Sequence, residues 1–478
     1  MKAPTTKQKI WLLWALLSVA LAAWLGYGLI FTKLNDSPAR AQARAQFMPG
    51  QTTAGHYQIE LACNACHTEA MGGPALLQDA CTNCHGAELK EARDSHPKSK
   101  FTDPRNAERA AKLDAAYCVT CHVEHKPHMT HAMGVTLPED FCHTCHEDVA
   151  KDRPSHKGMA FNTCASAGCH NFHDNRALYE DFLVKHASDP ARPVNRILPE
   201  RDFAKLIAGM SDYPSARYPN TPLQREQADW GTVPTNNKIT DEWFATAHAK
   251  GGVNCSACHQ QRGPDGKETW INKPSQKICA TCHAAEVKGF TSGKHGMRLA
   301  QDLSPMTPAQ ARLPMRQDAH SKNLSCNSCH GAHRFDVRTA AVESCLGCHN
   351  DKHSRAYKQS PHYTLWLKEL IGEGAPGSGV SCASCHLPRV EFRTPDDVKR
   401  ALVQHNQNAT LRPNEKMIRP VCMRCHNLKD SIDSLADRKL IERNFMGKPA
   451  QQIRSIEMAV AREAKAQASK PSASGSEE

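Results

Sequence analysis

Pairs of cysteines two residues apart, each pair followed at once by a histidine, are the residues of this sequence best placed to do chemistry. The chain has 22 Cys and 27 His among 478 residues, a composition that by chance gives about 0.06 C-x-x-C-H strings. Ten are present: Cys63/Cys66/His67, Cys81/Cys84/His85, Cys118/Cys121/His122, Cys142/Cys145/His146, Cys255/Cys258/His259, Cys279/Cys282/His283, Cys326/Cys329/His330, Cys345/Cys348/His349, Cys382/Cys385/His386 and Cys422/Cys425/His426. An eleventh, longer motif spans Cys164, Cys169 and His170. Together they use every cysteine, so no thiol remains for a disulfide, a structural zinc site or a nucleophile. The spacing suits covalent attachment of haem c. Two thioethers reach the two vinyl carbons of one porphyrin edge, and the next residue, on the same turn, offers an imidazole to the iron. Zinc knuckles and redox dithiols do not require His after every second Cys, so eleven covalent haems are expected.

The other 16 histidines supply candidates for the sixth iron ligand. One group lies six or seven residues before a motif: His56, His248 and His320. A second follows a motif His by three: His125, His173 and His333. A third lies ten to thirteen residues downstream: His96, His156, His295 and His362. His186 and His405 complete the set, while His128, His131 and His143 show no recurrence. On a helical turn, residues i and i+3 emerge on one side. His125 therefore cannot oppose His122 on a single iron and is expected to serve a neighbouring haem. The motif pairs Cys118/Cys142 and Cys326/Cys345 share one arrangement of near and far His, so the chain reads as duplicated.

The elements that must position these residues follow from the motif spacing. A five-haem module is expected over 50–187, a Pro-rich connector over 188–240, a six-haem module over 241–450 and a disordered tail over 451–478. Within them, 178–186, 202–210 and 429–446 have helix-like apolar spacing. The fold class expected is mainly α with much irregular chain, two multihaem cytochrome c modules wrapped around stacked haems. Ahead of them runs an uncharged stretch, Trp11–Phe31, of 21 residues, long enough for a transmembrane helix. Lys2, Lys7 and Lys9 precede it and place the N-terminus in the cytoplasm, making 1–35 an anchor and the periplasm the compartment of the haems. Small-residue cleavage sites at 41–45 lie ten or more residues past the apolar stretch, which favours an uncleaved anchor. Net charge is +11. Each haem brings about one net negative charge, so the loaded chain sits near neutrality, and nucleic acid is not expected as a partner.

The string C-x-x-C-H-x-E-H ending at His125, the paired motifs and the long Cys164 motif resemble the class III and doubled-motif multihaem cytochromes. In the second half, Ser292-Gly-Lys-His295-Gly, His353-Ser-Arg-Ala-Tyr357, Ser360-Pro-His362 and Gly379-Val-Ser-Cys382 resemble the superfamily of octahaem hydroxylamine oxidoreductases and pentahaem ammonia-forming nitrite reductases. Their catalytic signatures are missing. No motif carries Lys in place of His, and the last Tyr, Tyr363, precedes Cys422. The leading helix is similar in architecture to membrane-anchored quinol-oxidising cytochromes. With no catalytic residue assigned, the expectation is an electron relay from a membrane or quinol-pool donor to a periplasmic redox partner protein. The alternative is a terminal reductase of a nitrogen or sulfur oxyanion, with His405, Arg412, Lys416 and Arg419 as a basic oxyanion pocket.

Overall fold

Short helices dominate because each motif closes one turn and the loops between motifs are too polar and Pro-broken to extend it. A computed structural model describes residues 5–30, 48–69, 73–92, 94, 96–131, 134–138, 140–153, 156–157, 172–174, 180–191, 211, 215–216, 221–231, 236–393, 399–411, 414–450 and 452–469. The long motif, Cys164, Cys169 and His170, lies outside these residues, as does the helix expected over 202–210. The described chain is mainly helical, with two small antiparallel hairpins.

The chain divides into two compact units, which do not follow the five- and six-motif modules expected from spacing. The first comprises Met1–Cys84, Tyr117–Leu137 and Gln301–Ser304, the second His85–Ala116, Pro138–Ala300 and Pro305–Glu478. In the first unit the N-terminal helix is Thr6–Ile30. Among the described residues no helix is long and apolar enough to cross a membrane, so the transmembrane helix expected over Trp11–Phe31 is not found. Lys7, Gln8 and Lys9 lie in the first turn of this helix, ahead of its apolar residues. Its large apolar residues from Ile10 to Trp24 are 50–66% exposed.

The second unit contains the main aliphatic cluster. Leu183, Met417, Ile418, Met423, Leu428, Ile432, Leu435, Ile456 and Ala459 pack together. They come from the helices Glu180–Lys185, Leu428–Ala436 and Ser455–Ala468 and the turns before the last motif. Residues 451–478, expected to be disordered, thus include a packed helix. Ala, Glu and Lys are strong helix formers, Ile456 and Ala459 seal the cluster, and Arg462 meets Glu180 at 2.7 Å. The helix expected over 429–446 is two, Leu428–Ala436 and Arg438–Glu442. Asp437 breaks it, because its carboxylate accepts from Leu440 N–H and Ala450 N–H and so starts a new helix.

Both hairpins belong to this unit, and the sequence reading had no strands. Gln260–Arg262 pairs with Glu268–Trp270 around a Gly-Pro-Asp-Gly turn. Gly231, at φ +60°, lies against Trp270 where a Cβ would come within 2.5 Å of the indole. Arg389–Arg393 pairs with Lys399–Val403, Arg389 opposite Val403. Its alternation of Val390 and Phe392 with charged residues is the period-2 signal of a strand.

Candidate haem-binding sites

A C-x-x-C-H run that forms one helical turn sets its two cysteines three apart on one side and leaves the histidine at the turn's end. The backbone does this at motif after motif. The N–H of the motif His donates to the carbonyl of the first Cys at 2.8 Å for His67, His283, His349 and His426, at 2.9 Å for His122 and at 3.1 Å for His146. Cys255–His259, Cys326–His330 and Cys382–His386 are single α-helical turns, with the side chains of Asn254 and Ser381 capping the first and third. All twenty described cysteines are free of disulfides. Burial pushes the thiols of Cys329 and Cys422 up to about 12 and that of Cys385 up to about 11.

The motif of Cys142 and Cys145 is a tighter 3-10 turn, Phe141–Thr144, and Cys145 falls just past the end of it. The Cys145 thiol donates to the carbonyl of Arg109, with Sγ 3.8 Å from the oxygen. The cause is that a free thiol has a proton to give and the chain at Arg109 offers an acceptor. A thioether has no such proton, so attachment of haem at Cys145 has to replace this contact.

Among the described residues, seven motif histidines face a second imidazole. Ring centroids are 6.1 Å apart for His146 with His96, His283 with His248, His349 with His295 and His386 with His353. They are 6.2 Å apart for His330 with His405 and His426 with His362, and 5.8 Å apart for His259 with His333. Two metal–imidazole bonds of about 2.0 Å, with about 1.1 Å more from nitrogen to ring centre on each side, place two axial imidazoles about 6.2 Å apart. The gap in each pair is that of one iron. Among the described residues no group of three or more His, Cys, Asp or Glu converges on a point, whereas structural zinc takes four such ligands.

Nitrogen Nδ1 of many of the candidate histidines is engaged by the chain, the arrangement that orients a metal-binding imidazole; at His353 the Nε2 also lies 3.3 Å from Asn444 Nδ2. Nδ1 meets the carbonyl of Phe172 for His96 (2.6 Å), Gly134 for His122 (3.1 Å), Gly50 for His125 (2.8 Å), Ile271 for His259 (2.6 Å), Ile441 for His353 (2.5 Å) and Val403 for His405 (2.9 Å). Carboxylates take that place for His56 (Glu124, 2.6 Å), His186 (Asp189, 2.8 Å) and His173 (Asp94, 3.2 Å). Burial, with a second imidazole beside each, pushes His295, His362 and His386 down to about 4. They are therefore neutral near pH 7, the form that binds metal.

The motifs also meet one another. In the second unit the thiol of Cys258 lies within electrostatic reach of Cys279 and Cys282, and Cys279 lies close to Cys326. Cys329 lies within reach of Cys345 and Cys348, Cys345 close to Cys382, and Cys385 close to Cys422 and Cys425. In the first unit Cys66 lies within reach of Cys84, and Cys81 close to Cys118.

The cytochrome c3 family model matches the chain twice, over residues 55–147 and 247–350. The two stretches together cover less than half of the chain, and they support a multihaem cytochrome c. Each matched stretch of the cytochrome holds four motifs and one of the two paired arrangements that read as a duplication. The match supports covalent haem c and electron transfer; it does not extend to the hydroxylamine oxidoreductase likeness of the second half. No solved structure matches the chain.

Against this cytochrome the sequence-derived candidates sort as follows. His96, His248, His295, His333, His362 and His405 each stand opposite a motif histidine, His333 beside His259 rather than its own His330. The helical-turn argument gave the wrong cause, however. His125 and His333 sit at φ +62° and +66°, so each is turned away by left-handed backbone beyond the motif's turn. His353, absent from the recurrent patterns, faces His386, while His320 is exposed and no ring faces it among the described residues. Between 241 and 450 seven non-motif histidines stand beside six motifs, so one more is present than six sixth ligands require. His56, His125, His173 and His186 are placed by their Nδ1 partners, and His156 is half-buried near Arg153 and Arg462. The described residues expected for an oxyanion pocket have partners of their own. His405 faces His330, Arg419 lies 3.8 Å over the Phe182 ring, Lys416 meets Glu88 at 4.0 Å, and Arg412 lies outside the described residues.

Proposed function

We propose that this cytochrome carries eleven covalent haems with bis-histidine iron and relays electrons from a membrane or quinol-pool donor to a periplasmic partner protein. The observation that carries this reading is the unbroken succession of motif contacts in the second unit. From Cys255 to His426 each motif adjoins the next in chain order, so groups attached to them start from adjoining points. Iron held by two imidazoles exchanges single electrons and has no position open for substrate. The chain's own part is to fix spacing and orientation: carbonyls hold Nδ1, left-handed turns redirect His125 and His333, and hairpins deliver His259 and His405. Membrane attachment through the helix Thr6–Ile30 is supported by its exposed Trp11, Trp14, Leu16, Leu17 and Trp24 and by the lysines before them.

A pyridine haemochrome assay of denatured protein is expected to give eleven haems, and paramagnetic resonance of the ferric protein only low-spin iron. Ten haems would remove the Cys164 motif, and a high-spin signal would favour an oxyanion reductase. Fractionation is expected to leave the protein with the inner membrane until the first 35 residues are removed.

A further inference from the structure

Resting on the reading of His56 as an iron ligand, we propose that Glu124 is a positioning residue that lowers the reduction potential of the haem His56 serves. Glu124 lies within the string that runs from Cys118 to His125, between two haem-facing histidines. Its Oε1 meets His56 Nδ1 at 2.6 Å, the shortest of the three histidine–carboxylate contacts of this kind. Two further donors fix the carboxylate: Thr53 N–H to Oε2 at 2.8 Å and the Thr53 hydroxyl to Oε1 at 2.9 Å. Thr53 is itself buried. The group is therefore aimed at His56 by the fold and is not a surface acid that happens to swing near it.

An imidazole that donates its second N–H to a carboxylate is a stronger base at the opposite nitrogen. A more basic axial ligand favours ferric over ferrous iron and so lowers the potential. His96, His122, His125, His259, His353 and His405 give the same proton to neutral carbonyls. Glu124 thus sets the His56 haem below sites of the carbonyl class, as befits a point where electrons enter and then run downhill.

The test uses the full-length holoprotein. Glu124→Gln keeps the shape and the acceptor oxygen but removes the charge. It is expected to retain all haems and the low-spin count while one midpoint potential rises in a spectroelectrochemical titration. Asp79→Asn, an equal loss of charge at an exposed site of the same unit, is expected to leave that midpoint in place. His56→Ala is expected to open one iron to water or cyanide, seen as a new high-spin signal. If Glu124→Gln moves no potential while His56→Ala does open an iron, the tuning role is overturned and the ligand reading stands. If His56→Ala leaves the low-spin count unchanged, the ligand assignment itself fails and takes the inference with it.

Discussion

At the scale of single residues, two chemistries hold a haem, covalent thioethers and coordinate imidazoles. Cysteines and the histidines beside them are tied by local geometry, since one turn of backbone fixes all three, so the string alone identifies them. A facing histidine comes from anywhere in the chain and leaves no local mark. His353 follows His349 by four residues, one more than the recurring interval, and is held opposite His386 by the contacts of its Nδ1 with Ile441 O, of its Nε2 and carbonyl with Asn444 Nδ2 and of its ring with Phe445. His320 matched a recurrence and went nowhere. These two residues make a direct comparison. His353→Ala is expected to keep every haem, because no cysteine changes, and to convert one low-spin iron to high-spin in paramagnetic resonance. His320→Ala is expected to leave the spectrum unchanged.

At the scale of elements, the short hairpin Arg389–Val403 matters more than its length suggests. It leaves the Cys382 motif and returns the chain at Gln404, whose N–H donates to Pro388 O at 2.9 Å. His405 then follows as the next residue opposite His330. The loop it enters rests on the helix Ala284–Ser292 and the turn after it, at two glycines. A Cβ on Gly289 would lie 3.1 Å from His405 N, and one on Gly293 would lie 2.6 Å from Gln407 Oε1 and 3.3 Å from Asn406 Cα. Gly293→Ala needs no unusual backbone angle, so its effect is contact alone. It is expected to push the 404–408 loop away and weaken the His405–iron bond, read as a raised affinity for cyanide at one haem with the haem count intact. This dependence was invisible in the sequence, where Gly293 reads as the end of a helix; the strand signal in Val390 and Phe392 was present but outweighed by the helical motifs around it.

At the scale of the whole molecule, side chains alone build a small core, the aliphatic cluster around Ile418 and Leu428, while the motif regions are half-buried. The low aromatic content, 6%, already pointed that way, since porphyrins supply apolar surface that side chains elsewhere provide. Neutral histidines then make the fold sensitive to acid. His295, His362 and His386 are held down to about 4 chiefly by burial, whereas in an unfolded chain they titrate near 6.5. Between those values the unfolded chain binds protons that the folded chain refuses, so stability rises with pH across that window and is lost as pH falls from about 6.5 toward 4. Competition of protons with iron for the same nitrogens acts in the same direction. Denaturant titrations at stepped pH are expected to show the unfolding midpoint falling through this range and holding steady from pH 7 to 8.

The left-handed turn at His333 carries a consequence for assembly. Because it sends that ring back to the iron expected at His259, and because His405, His295 and His248 likewise serve sites far from them in sequence, each coordinate bond ties off a long loop of chain. A covalent cross-link of that span stabilises a protein chiefly by restricting its unfolded ensemble, but an iron–histidine bond can be remade with the wrong imidazole. With 27 histidines in one chain, mispaired ligands become the dominant traps. Refolding is expected to slow with the number of loops to be closed in the right order.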